Sequence, residues 1–505
     1  MILKLKKTIQ IFKQLSQSFT ELDFSNDDDD IEKQHIIIPI FYWGDTYVSW
    51  LQIIFALRFV KRNAHIYFVY DEDLPASNSY LKNFFLVKML IKRISSINFF
   101  LVKILIKRIC CHSNFTLLES NHFSDKGDQF DELIFKKHYF NAQWRQKRSI
   151  KLSEFKLKPS VLELDQVVAA KIDHLLMSNS FDFCFCPGGI YGNSYLWRGI
   201  CDKRSVRFSS FDGDKTKLVL TSLGVAAHRT DIESRFHMSS MQDTKKLVQQ
   251  VQNDIHKRSK LKLKNLSSIH DRKTRKEVID QEVTTFFNDF SLNVSRSGVL
   301  KNAVIFLNTS WDSAALDMEP WEASQSDWLD LLVGELIQNG CQNLSIRQHP
   351  DEQFYPSQDK YHDKINSYRK ISQEVNFYLI EAHHEINSYE LIKDSSIVFT
   401  FASTIGLEAC VLNRPTFVFK DNYQSKLGAL PRYTPGKLKD NLDSYFKNCH
   451  DFKLKSALAY YYGQLCGWHD ISIQNIDFFL TNKSWTTIID DMASDVMLGP
   501  IKTVA

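Results

Sequence analysis

Short apolar stretches alternate with helical patterns in two separate parts of this chain, and this alternation limits the fold more than any other feature. In the first part, the apolar runs HIIIPIFYWG and AHIYFVYDEDLP flank a helical pattern. In the second part, NAVIFLNTS is followed by the helical pattern QSDWLDLLVGELIQNG and then by LSIRQHP. Such strand–helix–strand repeats are typical of parallel sheets covered by helices. The sequence therefore predicts an α/β protein with two Rossmann-like domains and a central cleft.

Composition and charge exclude several classes of protein. The chain has 505 residues, of which 44% are hydrophobic and 24% charged, as in soluble proteins of two or three domains. A net charge of +4 is too small to require a nucleic acid as partner. No uncharged apolar stretch reaches the length of a membrane span. Cys184 and Cys186 alternate within FDFCFCPGG, so we predict core packing and a reducing cytoplasm.

Four segments are predicted along the chain. Residues 1–30 combine a basic amphipathic helix with the acidic linker SNDDDD, and residues 31–297 form the first Rossmann-like domain. Residues 298–450 form the second Rossmann-like domain, and residues 451–505 form a helical tail that packs back on the first. The N-terminal helix has two interpretations that the sequence leaves open. It either lies on an anionic membrane surface or packs on its own domain.

A nearly identical repeat lies within the first domain. NFFLVKMLIKRI at Asn83–Ile94 recurs as NFFLVKILIKRI at Asn98–Ile109, with one difference between the copies. Two copies at so short an offset do not form a solenoid. We interpret residues 83–109 as a tandem duplication that lengthens or doubles one basic helix. A basic membrane-facing surface and an insertion without function are both open interpretations.

Three loops that follow predicted strands of the second domain carry polar side chains. NTSWDS contains Ser310, the loop after LSIR contains His349 beside Arg347, and FASTIGLEA contains Ser403 and Thr404 just before a helix. Carboxyl ends of parallel strands share one edge of a sheet, so we expect these loops to converge on a ligand. Because a helix N-terminus attracts phosphate, the sequence predicts a nucleotide monophosphate or diphosphate there.

Two further residues of the third loop complete the predicted site. Gly406 lets the backbone approach a ligand closely, and Glu408, one turn into the helix, is placed to accept hydrogen bonds from ribose hydroxyls. Each loop alone also has an explanation without a ligand, since Ser-Thr is a common N-cap and His-Pro a common turn. Their shared position in one domain favours ligand binding.

One part of the second domain resembles a known family. LSIRQHP, followed by INSYELIKDSSIVFTFASTIGLEACVLNRPTFVF, resembles the C-terminal half of bacterial capsule and surface-polysaccharide biosynthesis proteins. These are similar to glycosyltransferases of the GT-B fold, including Kdo transferases and bacterial sialyltransferases. The resemblance covers residues 302–420 well and the N-terminal half only loosely. It implies a GT-B-like fold and transfer from a nucleotide-sugar donor, with a CMP-linked donor favoured, to a glycan or lipid-linked saccharide, without a metal or cofactor.

The resemblance also implies roles for individual residues. His349 would contact the donor phosphate and help the leaving group depart, and Ser403 and Thr404 would bind the same phosphate. Asp212 in FDGD would deprotonate the acceptor hydroxyl, although Phe211 stands where the motif of the related sialyltransferases has an acidic residue. Arg347 joins the site on the ground of its charge. The predicted donor site comprises Arg347, His349, Ser403, Thr404, Gly406, Glu408 and Ser310.

Other interpretations stay open. Asp71, Glu72 and Asp73 follow a strand with the spacing that metal-dependent glycosyltransferases use to hold Mn²⁺ or Mg²⁺. A non-hydrolysing sugar-nucleotide epimerase, a CDP-polyol phosphotransferase and a non-catalytic polysaccharide-assembly scaffold fit the same two-domain architecture. We expect a cytoplasmic protein, and contact of its basic N-terminal helices with the inner membrane is a further open alternative.

Overall fold

The structure is a computed structural model of the chain. It describes residues 2–21, 33–41, 48–71, 99–119, 123–124, 128–213, 218–229, 231–237, 241–260, 286–287, 290, 300–465 and 483–498. The chain divides into two compact units. Unit 1 comprises Met1–His138, Lys156–Asp231 and Trp468–Lys502, and unit 2 comprises Tyr139–Phe155, Ile232–Gly467 and Thr503–Ala505.

The strands and helices alternate as the sequence predicts. The strands are β1 Gln34–Ile40, β2 Ala64–Tyr70, β3 Phe115–Leu118, β4 Phe183–Pro187, β5 Arg207–Gly213, β6 Leu218–Thr221, β7 Asn302–Phe306, β8 Asn343–Arg347, β9 Asn376–Ile380, β10 Ile397–Thr400 and β11 Thr416–Val418. The helices are α1 Ile2–Glu21, α2 Val48–Val60, α3 99–109, α4 Asp131–Gln146, α5 Pro159–Ser178, α6 Asn193–Lys203, α7 Ile232–His237, α8 Met241–Ser259, α9 Gln325–Gln338, α10 Tyr361–Ile371, α11 Ser388–Asp394, α12 Ile405–Val411, α13 Tyr423–Lys426, α14 Leu438–Tyr460 and α15 Lys483–Leu498.

Unit 1 is built on a six-stranded sheet with the order β3-β2-β1-β4-β5-β6. Its strands pair in parallel, except for β5 and β6, which are antiparallel. Side chains of β4 alternate between the two faces of this sheet. Phe183 and Phe185 join one apolar cluster, whereas Cys184 and Cys186 are buried in another. The prediction that both cysteines pack in the core is therefore confirmed.

Three helices from distant parts of the chain bury one face in the same apolar cluster of unit 1. Ile11 of α1, Val102 and Ile106 of α3, and Ile489 and Met492 of α15 are each at most 2% exposed. The N-terminal helix thus packs on its own unit, and α3 is the second copy of the repeat. The first copy, residues 83–94, lies outside the described residues.

Unit 2 is built on a five-stranded parallel sheet with the order β11-β10-β7-β8-β9. The chain runs from β7 outward through β8 to β9, and then returns to the other side of β7 for β10 and β11. The strand order therefore reverses between β7 and β10, which is where ligands bind in open α/β sheets. Both sheets follow the strand order of a Rossmann-like fold, so the predicted α/β class with two Rossmann-like halves is confirmed.

The boundaries of the units differ from the predicted domains. Residues 232–260 belong to unit 2, although the sequence groups them with the first domain, because Val251 and Ile255 of α8 are fully buried in the core of unit 2. Helix α14 also belongs to unit 2 and crosses the predicted boundary after residue 450. A charged amphipathic helix gives no indication in the sequence of which core covers its apolar face.

Local sequence explains where α9 begins and ends. The Asp327 N–H donates to Ser324 Oγ at 3.2 Å, and the Asp327 carboxylate accepts from the Ser324 N–H, which forms a capping box. Gly340 follows the helix with a φ of 79°, a conformation that glycine adopts readily. Within the described residues, no helix has the length and apolar character needed to cross a bilayer.

Candidate functional site

Unit 2 contains a pocket at the carboxyl ends of β7, β8 and β10. The register aligns these ends, since Phe306 pairs with both Arg347 and Thr400. The pocket thus lies beside the point where the strand order reverses. The residues that line it are Arg258, Phe306, Leu307, Arg347, Gln348, His349, Pro350, Asn387, Ser388, Tyr389, Ser403, Thr404, Ile405 and Glu408.

Arg347, the last residue of β8, places a buried positive charge against this pocket. Its side chain is 1% exposed, and its Nη1 and Nη2 donate to the backbone carbonyls of Glu381 and His384 at 2.7 and 3.3 Å. Its Nε has no hydrogen-bond partner among the described residues. Burial lowers the pKa of the guanidinium to about 10, which still leaves it charged at neutral pH. A buried cation with an unused donor favours an anionic ligand.

His349 presents its other ring nitrogen as a donor. The backbone N–H of Asp351 donates to His349 Nδ1 at 3.2 Å, at the start of the 3₁₀ turn Pro350–Gln353. A neutral ring that accepts at Nδ1 carries its proton on Nε2. No described residue accepts from that Nε2–H. The histidine is 30% exposed, so its Nε2 remains accessible to a ligand.

The hydroxyls of Ser403 and Thr404 do not cap helix α12. Thr404 is the N-cap residue, but its backbone is helical (φ −65°, ψ −20°) and its side chain makes no capping hydrogen bond. Among the described residues, neither hydroxyl has a hydrogen-bond partner. Thr404 therefore occupies the N-cap position, but neither side chain caps the helix. Both residues are half-buried, and they line the same pocket as Arg347 and His349, with hydroxyls free to donate to a ligand.

Glu408 lines the pocket, but its carboxylate already has two partners. Arg258 Nη1 donates to Oε1 at 2.8 Å, and the Tyr389 hydroxyl donates to Oε2. The side chain of Glu408 is 2% exposed, and burial raises its pKa against the opposing effects of Arg258 and Tyr389. These bonds join α8, α11 and α12. Glu408 therefore holds the wall of the pocket together, and the predicted ribose contact would have to share its oxygens.

Two predicted donor-site residues do not line the pocket. The Ser310 hydroxyl donates to Asp359 and is 3% exposed. Gly406 lies within α12, where an added Cβ would come within 3.0 Å of Leu430 Cδ1 and 3.1 Å of Thr400 Oγ1. The glycine thus allows α12 to pack closely on the sheet and the following loop, which is a reason for glycine that involves no ligand.

Replacement of Gly406 by alanine should lower the free energy of unfolding by about 1–3 kcal/mol, because the added methyl overpacks this contact. Urea denaturation measures the change. Gly334 is the matched control: it lies within α9, nothing comes within 4 Å of its added Cβ, and alanine is expected to stabilise there. Equal effects of the two substitutions would show that the contact with Leu430 is not the cause.

Asp212 lies at the carboxyl end of β5 in unit 1. Its Oδ1 accepts from the backbone N–H of Gly213 at 2.7 Å, and its side chain is half-buried. Phe211 points to the opposite face, where it stacks on Phe185 with ring centroids 5.2 Å apart. Phe211 is therefore a core residue, whereas Asp212 is half-buried at the end of the strand.

Asp71 already has partners for both of its oxygens. Trp197 Nε1 donates to Oδ1 at 3.1 Å, and Asn193 Nδ2 donates to Oδ2 at 2.9 Å. Burial raises the pKa of this carboxyl to about 6, although both hydrogen bonds oppose the shift. Glu72 and Asp73 lie outside the described residues. Within the described part of the chain, no three His, Cys, Asp or Glu side chains are grouped to hold a metal ion. Metal-free transfer stays a prediction.

Comparison with known proteins identifies the segment that forms this pocket. Residues 223–428 match the family model described as capsule polysaccharide biosynthesis protein. The predicted resemblance is confirmed. The matched segment includes every residue that lines the pocket, from Arg258 to Glu408. No curated protein sequence matches the chain significantly.

Three solved structures are similar to the chain at low scores. A β-Kdo 2,4-transferase, KpsC from Thermosulfurimonas dismutans, has 10% identity and a TM-score of 0.33, with 55% of this chain and 79% of that chain covered. The β-Kdo 2,7-transferase KpsC of the same organism has 13% identity and a TM-score of 0.31, over 62% and 89%. A UDP-GlcNAc 2-epimerase from Neisseria meningitidis has 10% identity and a TM-score of 0.22, over 92% and 100%. At these scores, none of the similarities bears on the reaction of this chain.

The structure adds one charged residue that sequence reasoning did not place in the site. Arg258 lies near the end of the charged helix α8, and a charged helical pattern is typical of a solvated surface. It is 150 residues from Glu408 in the sequence, and nothing in the local pattern relates the two. Only the position of α8 against α12 and α14 brings Arg258 to the pocket.

Proposed function

We propose that this chain is a glycosyltransferase of surface-polysaccharide assembly. It transfers a sugar from a CMP-linked donor to a glycan or lipid-linked acceptor, without a metal ion. One observation carries the proposal: the pocket presents several hydrogen-bond donors that have no acceptor among the described residues. They are Arg347 Nε, His349 Nε2–H and the hydroxyls of Ser403 and Thr404. A set of this kind suits a phosphate, which accepts several hydrogen bonds at once.

The proposed chemistry uses these donors to stabilise the leaving group. The acceptor oxygen attacks the anomeric carbon, and the bond from that carbon to the donor phosphate oxygen breaks, with its electron pair passing to the phosphate. His349, Arg347 and the two hydroxyls meet the charge that grows on CMP as it leaves, and they need no rearrangement to do so. Asp212 accepts the proton of the acceptor hydroxyl. Fixed donors can do here what a metal ion does elsewhere.

The match to the capsule polysaccharide biosynthesis family supports a surface polysaccharide as the product. The pocket, with its several hydrogen-bond donors, supports a sugar donor that carries a phosphate. The choice of CMP over UDP or GDP rests on the resemblance to Kdo and sialic acid transferases. A cytoplasmic location follows from the proposed use of a nucleotide-sugar donor. Contact of α1 with the inner membrane is part of the same proposal. It would involve the face of α1 opposite the buried Ile11 and Leu15.

A thermal-shift panel tests the donor class. Purified protein is melted with CMP, CDP, UDP, UDP-sugars or GDP, and the panel is repeated with His349→Asn. A ligand that binds only the native state raises the free energy of unfolding by about 2.7 kcal/mol at a hundredfold excess over Kd, and Tm rises as a result. We expect a shift with CMP that shrinks in the variant.

The other outcomes are equally informative. A shift with UDP-sugars alone would reject the CMP donor and favour an epimerase or a UDP-dependent transferase. A shift with CDP but not CMP would favour the polyol phosphotransferase. No shift with any nucleotide would support the non-catalytic scaffold.

A further inference from the structure

Arg258 is fixed at the edge of the pocket by two hydrogen bonds from a single nitrogen. Its Nη1 donates to Glu408 Oε1 at 2.8 Å and to the Tyr460 hydroxyl at 2.6 Å. Tyr460 donates in turn to Asp254 at 2.6 Å, and Tyr389 holds the other oxygen of Glu408. Glu408 and Tyr460 are at most 2% exposed, so these anchors are rigid parts of the core.

The other edge of the Arg258 guanidinium is unused. Among the described residues, none accepts a hydrogen bond from its Nε or Nη2. These two nitrogens form the side edge of the guanidinium, which pairs with two oxygens of one carboxylate or phosphate. The side chain lines the pocket and is 27% exposed, so a ligand can reach it.

Arg347 offers the opposite arrangement. Both of its Nη atoms donate to backbone carbonyls, and its buried Nε has no partner among the described residues. The protein therefore holds the Arg347 guanidinium at both Nη atoms, whereas Arg258 has its Nε–Nη2 edge free. The two arginines are thus suited to different anionic groups of one ligand.

We propose that Arg258 binds a second anionic group of the donor, beyond the phosphate that meets Arg347 and His349. Glu408 and Tyr460 are positioning residues that fix its free edge. This inference rests on the proposed function and narrows the donor to molecules with two anionic groups. The second group is a two-oxygen anion, which is either the carboxylate of a CMP-linked ulosonic acid or the second phosphate of a nucleoside diphosphate.

Isothermal titration calorimetry of Arg258→Lys against wild type tests the inference. The ligands are CMP, CDP and CMP-N-acetylneuraminate. Lysine keeps the charge beside Glu408 but cannot form the two-pronged pair. We expect CMP affinity to change by less than threefold, and the affinity of one two-anion ligand to fall at least tenfold. A fall with CMP-N-acetylneuraminate assigns the carboxylate, and a fall with CDP assigns the second phosphate.

The readout is a ratio of affinities, which a purely structural role of Arg258 would not move. Equal losses for CMP and both two-anion ligands, or no loss, would overturn the inference. If Arg258→Lys does not fold, Glu408→Gln is titrated with the same ligands. A reduced preference for a two-anion ligand over CMP supports the inference. An unchanged preference overturns it. A wild-type protein that binds none of the three ligands rejects the proposed function itself, whereas wild-type binding of CMP with no effect of Arg258 rejects this inference alone.

Discussion

His349→Ala should lower kcat by about 10²–10³-fold, the usual effect of removing one preorganised donor from a developing anion. The physical reason is the ring's orientation. Nδ1 accepts from the Asp351 N–H, so the proton of the neutral ring lies on Nε2 and is available to the leaving phosphate. Alanine removes this donor and also removes the cap of the following 3₁₀ turn, which costs about 1 kcal/mol of stability. Donor-dependent sugar transfer and a urea melt measure the two effects separately.

Asparagine and glutamine separate the two functions of His349. In His349→Asn, the new side chain can still cap the turn with its Oδ1 but places no donor at the position of Nε2, so we expect near-native stability and the same loss of kcat. His349→Gln reaches the position of Nε2 with its amide and loses the cap, so we expect partial activity with reduced stability. If His349→Asn retained full activity, the role of the histidine would be confined to capping.

Arg347→Met should abolish most of the CMP-induced rise in Tm. A hydrogen bond to a charged group contributes about 1.5–3 kcal/mol, which corresponds to a loss of roughly 10–100-fold in affinity. The change also leaves the carbonyls of Glu381 and His384 without their donor, so the protein without ligand is expected to be less stable as well. Calorimetric titration with CMP at a temperature where the variant is folded isolates the loss of affinity.

Arg414 provides the matched control. It is also buried, at 5% exposure, and its Nε, Nη1 and Nη2 all donate to backbone carbonyls, those of Ile392, Phe290 and Lys393. It is not among the residues that line the pocket. Arg414→Met should therefore destabilise the fold without changing the affinity of the folded protein for CMP. Similar losses of affinity in both variants would attribute the effect of Arg347 to general destabilisation.

The strand ends of the second domain show how far sequence reasoning reaches. The apolar runs before Arg347 and Ser403 predict buried parallel strands, and parallel strands bring their carboxyl ends to one edge. The loops that carry Arg347, His349, Ser403 and Thr404 do line one pocket in the structure. This part of the site could be predicted because each step depends on a local pattern and on a general rule for parallel sheets.

The loop with Ser310 shows where the same rule stops. It follows β7, which ends beside the pocket, yet the Ser310 side chain donates to Asp359 instead of facing a ligand. Gly406 is a second example. The atoms that require a glycine there belong to Thr400 and Leu430, and not to a ligand. The direction of a loop side chain depends on its packing partners, and these are distant in sequence.

The sequence by itself determined the alternation of strands and helices, the two Rossmann-like halves and the position of the polar loops at the strand ends, because these features follow from periodicity within short segments. Only the tertiary structure decided that α8 belongs with the second sheet and that Arg258 meets Glu408 across 150 residues of chain. The physical reason is that a buried carboxylate must find partners wherever packing supplies them. Helix amphipathicity specifies that a face is buried but not which core buries it.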